Sequence, residues 1–420
     1  MTWYGQCPQC GAWNSLQAVP ESRSGAYGPG QGQSSPIVVS SLDAALKTAY
    51  IPSGNQEIDE FFGGGLVKGG VYLLGGEPGI GKSTWLMQLS SFLARQGLKS
   101  VYISGEESLE QIQTRANRVL AREQGLFFAY STRLEEIFSV LDQGYEFAVI
   151  DSVQTIAASD VESGPGSVSQ VREVASRLIN LAKEKGLILF LIGHVTKDGL
   201  LAGPKLLEHM VDSVLYFEGD REYLFRLLRI VKNRYGPANE ILVLEMGARG
   251  LSIVADPCTF FLEDAGQNAS GQALTLTLEG QKVLAVEVQA LVNQSFLAMP
   301  RRVALGVDQN RLNLLLAVLE KRLNLNLRDK DVYVKIGSGL QIKEPAIDLA
   351  LCAAILSSFY DLILPKGSVF WGEVDLNGQI RSVVGQELRL KQAKRLGYAP
   401  IFYPQPSLSS LTDISKILLT

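Results

Sequence analysis

The sequence predicts an α/β fold in which helices cover both faces of a parallel β-sheet. The first reason is the alternation of strand-like and helix-like segments from about Ser41 to Val211. The second is a glycine-rich loop at residues 76–83, between a predicted strand and a predicted helix, and the third is an apolar strand that ends at Asp151. Repeated β–α units with short connections indicate a parallel sheet, because each helix crosses back over it.

Apolar runs predict the strands, and polar capping residues predict where the helices begin. Strands are predicted at residues 71–75, 100–104, 126–130, 146–151 and 187–193. Helices are predicted to begin near Ser83, Ser108, Thr132 and Ser167. Ser108 and Thr132 are followed three residues later by Gln111 and Glu135, which is the spacing of a capping box.

The pattern changes after Val211. Strand-like runs at residues 211–217, 223–231, 241–246 and 250–254 predict antiparallel strands that extend the first sheet. A second domain of mixed strands and helices is predicted from about Gly271, opened by strands at 274–278 and 283–288. We divide the chain into residues 1–18, a flexible linker at 19–40 rich in Ser, Gly, Pro and Gln, a domain at 41–265 and a domain at 271–420.

Composition limits the class of protein. The chain has 420 residues, of which 46% are hydrophobic and 20% charged, as in globular proteins of two or three domains. No apolar run reaches membrane-spanning length and the first residues do not resemble a signal peptide, so we expect no membrane association. Four cysteines do not make a disulfide framework, which indicates the reducing cytoplasm. A net charge of −4 restricts any nucleic-acid contact to a local basic patch.

The glycine-rich loop fits the pattern G-x-x-x-x-G-K-[ST] of a phosphate-binding loop. Its glycines let backbone N–H groups surround the phosphates, and the following helix N-terminus favours an anion. Lys82 is predicted to reach the β- and γ-phosphates of ATP, and Ser83 to ligate Mg²⁺. The predicted nucleotide-binding residues are Gly76, Glu77, Pro78, Gly79, Ile80, Gly81, Lys82, Ser83 and Thr84.

Carboxylates follow two of the predicted strands. Asp151 stands where phosphate-loop ATPases carry a second residue that orients Mg²⁺, with a plain helix N-cap as the alternative. Glu106 and Glu107 follow the strand at 100–104, which we expect to lie next to the phosphate-loop strand. Either of them fits the base that orients and deprotonates the attacking water, with two solvated acids at a helix start as the alternative.

Three further positions carry chemistry. His194 ends the strand at 187–193 and fits a sensor of the γ-phosphate that signals to residues 196–199, or an ordinary hydrogen-bonded histidine. Lys232 and Arg234 lie at a basic strand end, far along the chain from the phosphate loop. Two such cations suit contact with the nucleotide of a neighbouring subunit or with a nucleic-acid backbone, and a solvated turn is the alternative.

Four motifs together resemble the RadA (Sms) family of bacterial DNA-repair proteins over nearly the whole chain. They are GEPGIGKST, YISGEES, VIDSVQT and KNRYG, the last with Tyr235 where the family usually has Phe. The resemblance implies a RecA-type phosphate-loop ATPase core, a C-terminal α+β Lon-protease-like domain and a partial N-terminal zinc finger. It also implies a homo-hexameric ring that binds single-stranded and branched DNA, hydrolyses ATP while extending recombination intermediates and has the recombinase RecA as a partner.

The resemblance assigns roles to several positions. Lys232 and Arg234 take a trans-acting role that responds to nucleotide, and residues 157–166 and 196–208 face a central DNA channel. The residues expected to act in catalysis are Lys82, Glu106, Glu107, Asp151, Lys232 and Arg234.

The N-terminal segment departs from the family pattern. Family members open with two Cys-x-x-Cys pairs that form a four-cysteine zinc site, whereas this chain has one pair, Cys7 and Cys10. Cys258 and Cys352 lie too far along the chain and in apolar surroundings, so we expect small buried residues there. A structural Zn²⁺ needs four ligands, so we expect zinc only if a further pair lies upstream of Met1.

The C-terminal domain also departs from its relatives, the Lon peptidases, which use a Ser nucleophile and a Lys base. Residues 372–380 match the strand and turn of that domain, but Ala346 falls where the Ser should be and Glu387 where the Lys should be. Ser357 and Ser358 lie on an apolar helix and are poor substitutes. We therefore expect a scaffold without peptidase activity.

The sequence as a whole favours a DNA-dependent ATPase, a helicase-like motor in recombinational DNA repair. A RecA-fold signalling ATPase that does not act on DNA is one alternative, and an ATP-dependent Lon-type peptidase is the other. Stimulation of ATP hydrolysis by single-stranded DNA separates the first alternative from the main hypothesis, and an intact Ser–Lys pair would have supported the second.

Overall fold

The computed structural model describes residues 50–120, 125–193, 204–219, 225–260, 262, 269–337 and 340–419. All of them lie in one compact unit, Thr48–Thr420. None of the described helices combines the length and the apolar character that crossing a membrane requires.

The first part of the chain forms a nine-stranded sheet with helices on it. Its elements in chain order are β1 (Tyr50–Ile51), α1 (Gln56–Phe62), β2 (Leu66–Val67), β3 (Val71–Gly76), α2 (Lys82–Arg95), β4 (Ser100–Ser104), α3 (Leu109–Val119), β5 (Leu126–Tyr130), α4 (Leu134–Leu141), β6 (Phe147–Asp151), α5 (Val168–Lys185), β7 (Ile188–Ile192), α6 (Pro204–Met210), β8 (Ser213–Glu218), β9 (Phe225–Asn233), β10 (Ile241–Gly247) and β11 (Gly250–Ile253). The strand order is β11-β10-β9-β8-β3-β7-β6-β4-β5, and β1 and β2 pair separately.

The five strands predicted as a parallel sheet are confirmed. They correspond to β3, β4, β5, β6 and β7, which pair in parallel and begin and end within one residue of the predicted bounds. β3, β4, β6 and β7 are buried along their whole length, since helices cover both faces.

Two of the predicted helix caps form and one does not. Ser108 and Gln111 make the predicted capping box at α3, and Ser167 caps α5. The capping box predicted at Thr132 is wrong, because α4 begins at Leu134 with Arg133 as its N-cap. The Glu135 carboxylate instead accepts hydrogen bonds from the Ser159 amide at 2.9 Å and its hydroxyl at 2.7 Å.

The extension of the sheet was predicted as four antiparallel strands, and this is correct for three of them. β9, β10 and β11 pair antiparallel, but β8 runs parallel to β3. The reason is α6, a helix not predicted from the sequence, which precedes β8 and allows the chain to enter the sheet in the same direction as β3.

The second part of the chain forms a six-stranded mixed sheet of order β14-β15-β13-β12-β16-β19. Its elements, after a short α7 (Pro257–Phe260), are β12 (Gln272–Glu279), β13 (Lys282–Gln294), β14 (Arg302–Leu305), α8 (Gln309–Leu323), β15 (Lys330–Ile336), α9 (Asp348–Tyr360), β16 (Val369–Phe370), β17 (Glu373–Val374), β18 (Ile380–Arg381), α10 (Gln386–Arg395), β19 (Ile401–Phe402) and α11 (Leu411–Leu419). The two opening strands predicted from the sequence are β12 and β13.

An apolar cluster joins the two sheets. It contains Phe225, Leu227, Ile241 and Val243 of β9 and β10 together with Leu284, Val286 and the buried face of α9. An ion pair of 2.8 Å between Arg229 and Glu279 lies beside it. The antiparallel extension of the first sheet is thus buried by the second part of the chain, and the domain bounds 41–265 and 271–420 stay a prediction.

Helix α9 is apolar around almost its whole circumference and begins with a buried acid. Asp348 is 1% exposed, and its two carboxylate oxygens accept from Arg311 at 2.5 and 2.7 Å. Burial raises the pKa of Asp348 in spite of this ion pair and a further bond of 3.1 Å from the Val374 amide. The ion pair connects α8 to the start of α9.

We predict that Arg311→Leu destabilises the fold by about 3 kcal/mol, because it leaves the Asp348 carboxylate buried without a cation. Urea unfolding measures the change. Arg395→Leu is the matched control, since Arg395 pairs with Asp256 at 3.3 Å between exposed side chains and should cost less than about 1 kcal/mol. Equal losses in the two variants would contradict the assignment.

Candidate nucleotide-binding site

The glycine-rich loop connects the end of β3 to the start of α2 at the carboxyl edge of the first sheet. Gly76 and Gly81 have φ of 146° and 118°. A Cβ on Gly76 would lie 2.9 Å from the Phe217 carbonyl oxygen, and one on Gly81 would lie 3.1 Å from Met246 Cε. Only glycine fits this cradle, whose backbone conformation is suited to surrounding phosphates.

Lys82 is held inside this loop. Its side chain is buried, and its Nζ donates hydrogen bonds of 2.9 Å to the carbonyls of Gly76 and Glu77. Burial lowers the pKa of Lys82, and the nearby carboxylates of Asp151 and Glu106 act in the opposite direction. One cation and two acids therefore converge at the loop, although their positions in the sequence are far apart.

Tyr102 binds the second predicted Mg²⁺ ligand, Asp151. Asp151 is buried at the end of β6, before a cis peptide bond to Ser152. The Tyr102 hydroxyl donates to Asp151 Oδ2. Burial and Asp151 raise the pKa of Tyr102, and the nearby Ser83 side chain acts in the opposite direction. This cluster of hydroxyl and carboxylate oxygens beside the phosphate loop fits Mg²⁺, which prefers oxygen ligands.

Glu106 and Glu107 point to different parts of the site. Glu106 Oε1 accepts a hydrogen bond of 2.5 Å from the hydroxyl of Ser152, next to Asp151. Glu107 pairs with Arg115 of α3, while its other carboxylate oxygen is buried without a hydrogen-bond partner. The electrostatic contact with Lys82 belongs to Glu106, so the two acids are distinguishable in the structure.

The expectation that the strand before these acids is the neighbour of the phosphate-loop strand is wrong. β7 and β6 lie between β3 and β4. The acids nevertheless reach the loop, because parallel strands end at the same edge of the sheet and Ser104 lies opposite Asp151. The Ser104 hydroxyl then accepts from the amides of Glu106 and Glu107 at 3.2 and 2.9 Å, which turns the chain there.

The KNRYG segment is tied down by hydrogen bonds. Lys232 Nζ donates to the carbonyls of Glu208 and Val211, both at 2.7 Å, and burial, followed by the neighbouring Arg234, lowers its pKa. The Arg234 side chain is 59% exposed and pairs with the buried Asp212 at 3.3 Å. Arg234 is therefore the more accessible of the two cations.

The register of the sheet separates this segment from the phosphate loop. Ser213 of β8 lies opposite Tyr72 of β3 and opposite Asn233 of β9. KNRYG is therefore level with the amino end of β3, whereas the loop follows its carboxyl end at Gly76. The four residue steps from Tyr72 to Gly76 span about 13 Å, so the cations lie at the opposite edge of the sheet from the loop of the same chain.

The segment at 157–166 is a structured turn. The buried Gln170 amide donates to the carbonyls of Ala158 at 3.3 Å and Ser163 at 3.0 Å, and Arg177 pairs with Asp160 at 2.6 Å. The charged residues of the segment are acidic, Asp160 and Glu162. Residues 204–208 open α6, while His194, residues 196–203 and the Cys7–Cys10 pair lie outside the described residues.

The positions expected for a peptidase dyad are occupied differently. Ala346 is fully buried before α9, and Glu387 is exposed on α10. Between these segments runs a buried ion pair of Glu344 with Arg389, whose Nε also donates to the Leu276 carbonyl at 2.9 Å. The segment before α9 and helix α10, which would carry the nucleophile and the base, are thus joined by an ion pair.

Ser357 and Ser358 are engaged in backbone hydrogen bonds. Their hydroxyls accept from the amides of Gly271 at 2.8 Å and Val292 at 2.9 Å. Cys258 and Cys352 are buried, as predicted, and burial raises the pKa of both thiols. Within the described part of the chain, no group of three or more His, Cys, Asp and Glu side chains could hold a metal ion.

Sequence reasoning missed three members of the site, Tyr102, Ser152 and Arg115. Tyr102 had a usable signal, because a tyrosine within a buried strand needs a partner for its hydroxyl. Ser152 directly follows the predicted Asp151 and could have been considered with it. Arg115 carries no signal, since an arginine on an amphipathic helix is usually solvated.

Comparison with known proteins gives two family matches, an AAA domain over residues 42–200 and a rubredoxin metal binding domain over residues 1–18. The DNA repair protein RadA of Bacillus subtilis is 43% identical over 98% of this chain and 91% of its own length. Its counterpart in Pseudomonas aeruginosa is 44% identical over 96% and 89%, respectively. The crystal structure of a KaiC-like protein from Pyrococcus horikoshii aligns with a TM-score of 0.40 and 21% identity over 49% of this chain and 99% of that one. The predicted phosphate-loop ATPase core is confirmed, and the second family match covers the segment predicted as a partial zinc finger.

Proposed function

The chain belongs to the RadA family of DNA repair proteins and has an ATP-hydrolysing domain, and from this we propose that it is a DNA-dependent, helicase-like motor in recombinational DNA repair. The observation that carries the proposal is the convergence of Lys82, Asp151 and Glu106 at one edge of the parallel sheet. A buried cation, a glycine cradle and two acids are the parts that phosphoryl transfer requires.

Each residue of the site has a distinct proposed task. Lys82 exchanges its two carbonyl partners for the β- and γ-phosphates and balances their charge. Glu106, oriented by Ser152, takes the proton of the attacking water. Ser83 and Asp151 would hold Mg²⁺, which when bound neutralises charge on the phosphate oxygens.

We assign Lys232 and Arg234 to the nucleotide of a neighbouring subunit. Support comes from their location at the opposite edge of the sheet from the phosphate loop of their own chain. In a ring of identical subunits this edge can approach the next subunit's phosphates, where a guanidinium stabilises developing charge. Contact of these cations with a DNA backbone is the competing role.

Several finer assignments are part of the same proposal. The assembly is a homo-hexameric ring, single-stranded and branched DNA and the recombinase RecA are its partners, and residues 157–166 and 196–208 face the DNA channel. The acids of the 157–166 segment repel phosphate, so other residues of the channel would have to bind the DNA backbone. Cys7 and Cys10 contribute two ligands to a zinc site if a further cysteine pair supplies the other two, and the rubredoxin match over residues 1–18 supports metal binding there.

The C-terminal domain is proposed to be a scaffold without peptidase activity. Ala346 has no nucleophile, Glu387 replaces the lysine of a Ser–Lys dyad, and Ser357 and Ser358 use their hydroxyls to support the backbone. The buried pair of Glu344 and Arg389 fills the region between the two segments. The Lon-type peptidase alternative is therefore not favoured.

We predict that the purified chain hydrolyses ATP, that single-stranded DNA stimulates the rate, and that Lys82→Ala abolishes hydrolysis. The variant loses the cation that balances the phosphates. Phosphate release with and without DNA measures both effects. Lys68→Ala, a change of an exposed lysine outside the loop, is the control and should keep the parental rate. Hydrolysis by Lys82→Ala would refute the loop assignment, and hydrolysis without DNA stimulation would favour the signalling ATPase.

The two acids should differ when each is changed to its amide. Glu106→Gln keeps the shape of the side chain but removes the base, so ATP binding should persist while turnover falls by roughly 10²-fold. Glu107→Gln breaks the pair with Arg115 and should reduce turnover less. Single-turnover hydrolysis and equilibrium ATP binding separate the effects. A larger loss in Glu107→Gln would exchange the roles of the two residues.

The trans role can be tested by mixing inactive variants. Lys82→Ala and Arg234→Ala subunits should each be inactive alone, and Lys232→Ala should behave like Arg234→Ala. Mixed rings should regain activity, because one variant retains an intact phosphate loop and the other supplies intact cations to it.

A mixture of Lys82→Ala with Glu106→Gln is the matched control. Both changes damage the part of the site that a subunit contributes to its own nucleotide, so no subunit in a mixed ring has this part intact. This mixture should regain no activity. If subunit exchange is demonstrated and neither mixture recovers activity, the trans assignment is wrong and a direct contact with DNA becomes the better account.

A further inference from the structure

Tyr102 lies in the interior of the site, and none of its surface is exposed. Tyr102 lies on β4, which is separated from β3 by two strands. Its hydroxyl is located at the end of the adjacent strand β6. There it donates a hydrogen bond to Asp151, one of the two predicted Mg²⁺ ligands, and the side chain of the other ligand, Ser83, lies nearby.

The direction of this bond follows from the chemistry of the two groups. A tyrosine hydroxyl has a single proton, and Tyr102 donates it to Asp151 Oδ2. The other carboxylate oxygen of Asp151 makes no bond to Tyr102, so its lone pairs stay available to a metal ion.

We infer that Tyr102 is a positioning residue for Mg²⁺: it orients the Asp151 carboxylate so that its other oxygen presents lone pairs to the metal beside the phosphate loop. The inference rests on the proposed ATPase function and assigns to it a residue outside the loop. Without the Tyr102 hydroxyl the Asp151 carboxylate is free to rotate, and its ordering has to accompany metal binding. Groups that support metal ligands in this way typically change metal affinity by about 10- to 100-fold when removed.

The test is Tyr102→Phe in the full chain, with binding of a fluorescent, non-hydrolysable ATP analogue measured over a series of Mg²⁺ concentrations. We expect the Mg²⁺ concentration at half-saturation to rise by about tenfold or more. Nucleotide affinity in EDTA should stay at the parental value, because Lys82 and the loop are unchanged. Mn²⁺ binding followed by electron paramagnetic resonance should show the same loss of metal affinity without any turnover.

Tyr72→Phe is the matched control. Tyr72 is a buried tyrosine of β3 whose hydroxyl accepts from the Val67 amide at 3.0 Å, remote from the loop. Tyr72→Phe removes a hydroxyl from an equally buried position, so this variant measures the effect of reduced stability alone. The inference is overturned if Tyr102→Phe has the parental Mg²⁺ dependence, if Tyr72→Phe shifts it equally, or if Tyr102→Phe weakens nucleotide binding equally in EDTA.

A double-variant comparison tests whether Tyr102 affects Mg²⁺ binding through Asp151. The comparison remains informative even if Tyr102→Phe lowers stability. In an Asp151→Asn background the carboxylate that Tyr102 orients is absent, so adding Tyr102→Phe should change Mg²⁺ dependence by less than about twofold. A full additional tenfold loss would contradict action through Asp151. Failure of the parental chain to bind the analogue at all would refute the ATPase proposal itself, which distinguishes the two failures.

Discussion

The parallel pairing of β3, β7, β6 and β4 is the constraint on which the nucleotide site depends. These strands are buried on both faces, so their apolar side chains alone would tolerate a shift of one residue in register. Polar groups remove that freedom. Tyr102 has to meet Asp151, and the Val71 amide donates to Asp212 at 3.0 Å, so each end of the sheet has a bond that only one register satisfies.

β3 connects two chemically different ends of the molecule. Its carboxyl end continues into the phosphate loop, and its amino end is bonded to Asp212, which also pairs with Lys183 and Arg234. Asp212 therefore restrains Arg234 while remaining part of the sheet's hydrogen bonding. Any other partner of the Arg234 guanidinium has to compete with Asp212. The ion pair with Asp212 therefore gives Arg234 a defined position in the absence of such a partner.

The sequence was most informative where one residue type is required locally. The glycines of the loop, the buried strands and the Ser108 cap follow from short-range rules, and all were predicted. Strand order was not predicted, because it depends on crossovers such as α6 that local patterns do not define. For the same reason the sequence did not separate Glu106 from Glu107: their difference comes from contacts with Ser152 and Arg115 that form only on folding.

The apolar cluster that joins the two sheets gives the second part of the chain a role that does not depend on any chemistry of its own. Phe225, Leu227, Ile241 and Val243 are covered only as long as the second part of the chain packs near them. A descendant that lost that part would expose a contiguous apolar surface, which favours aggregation. Selection can therefore preserve the C-terminal half for the solubility of the ATPase part that it covers, whether or not it catalyses anything.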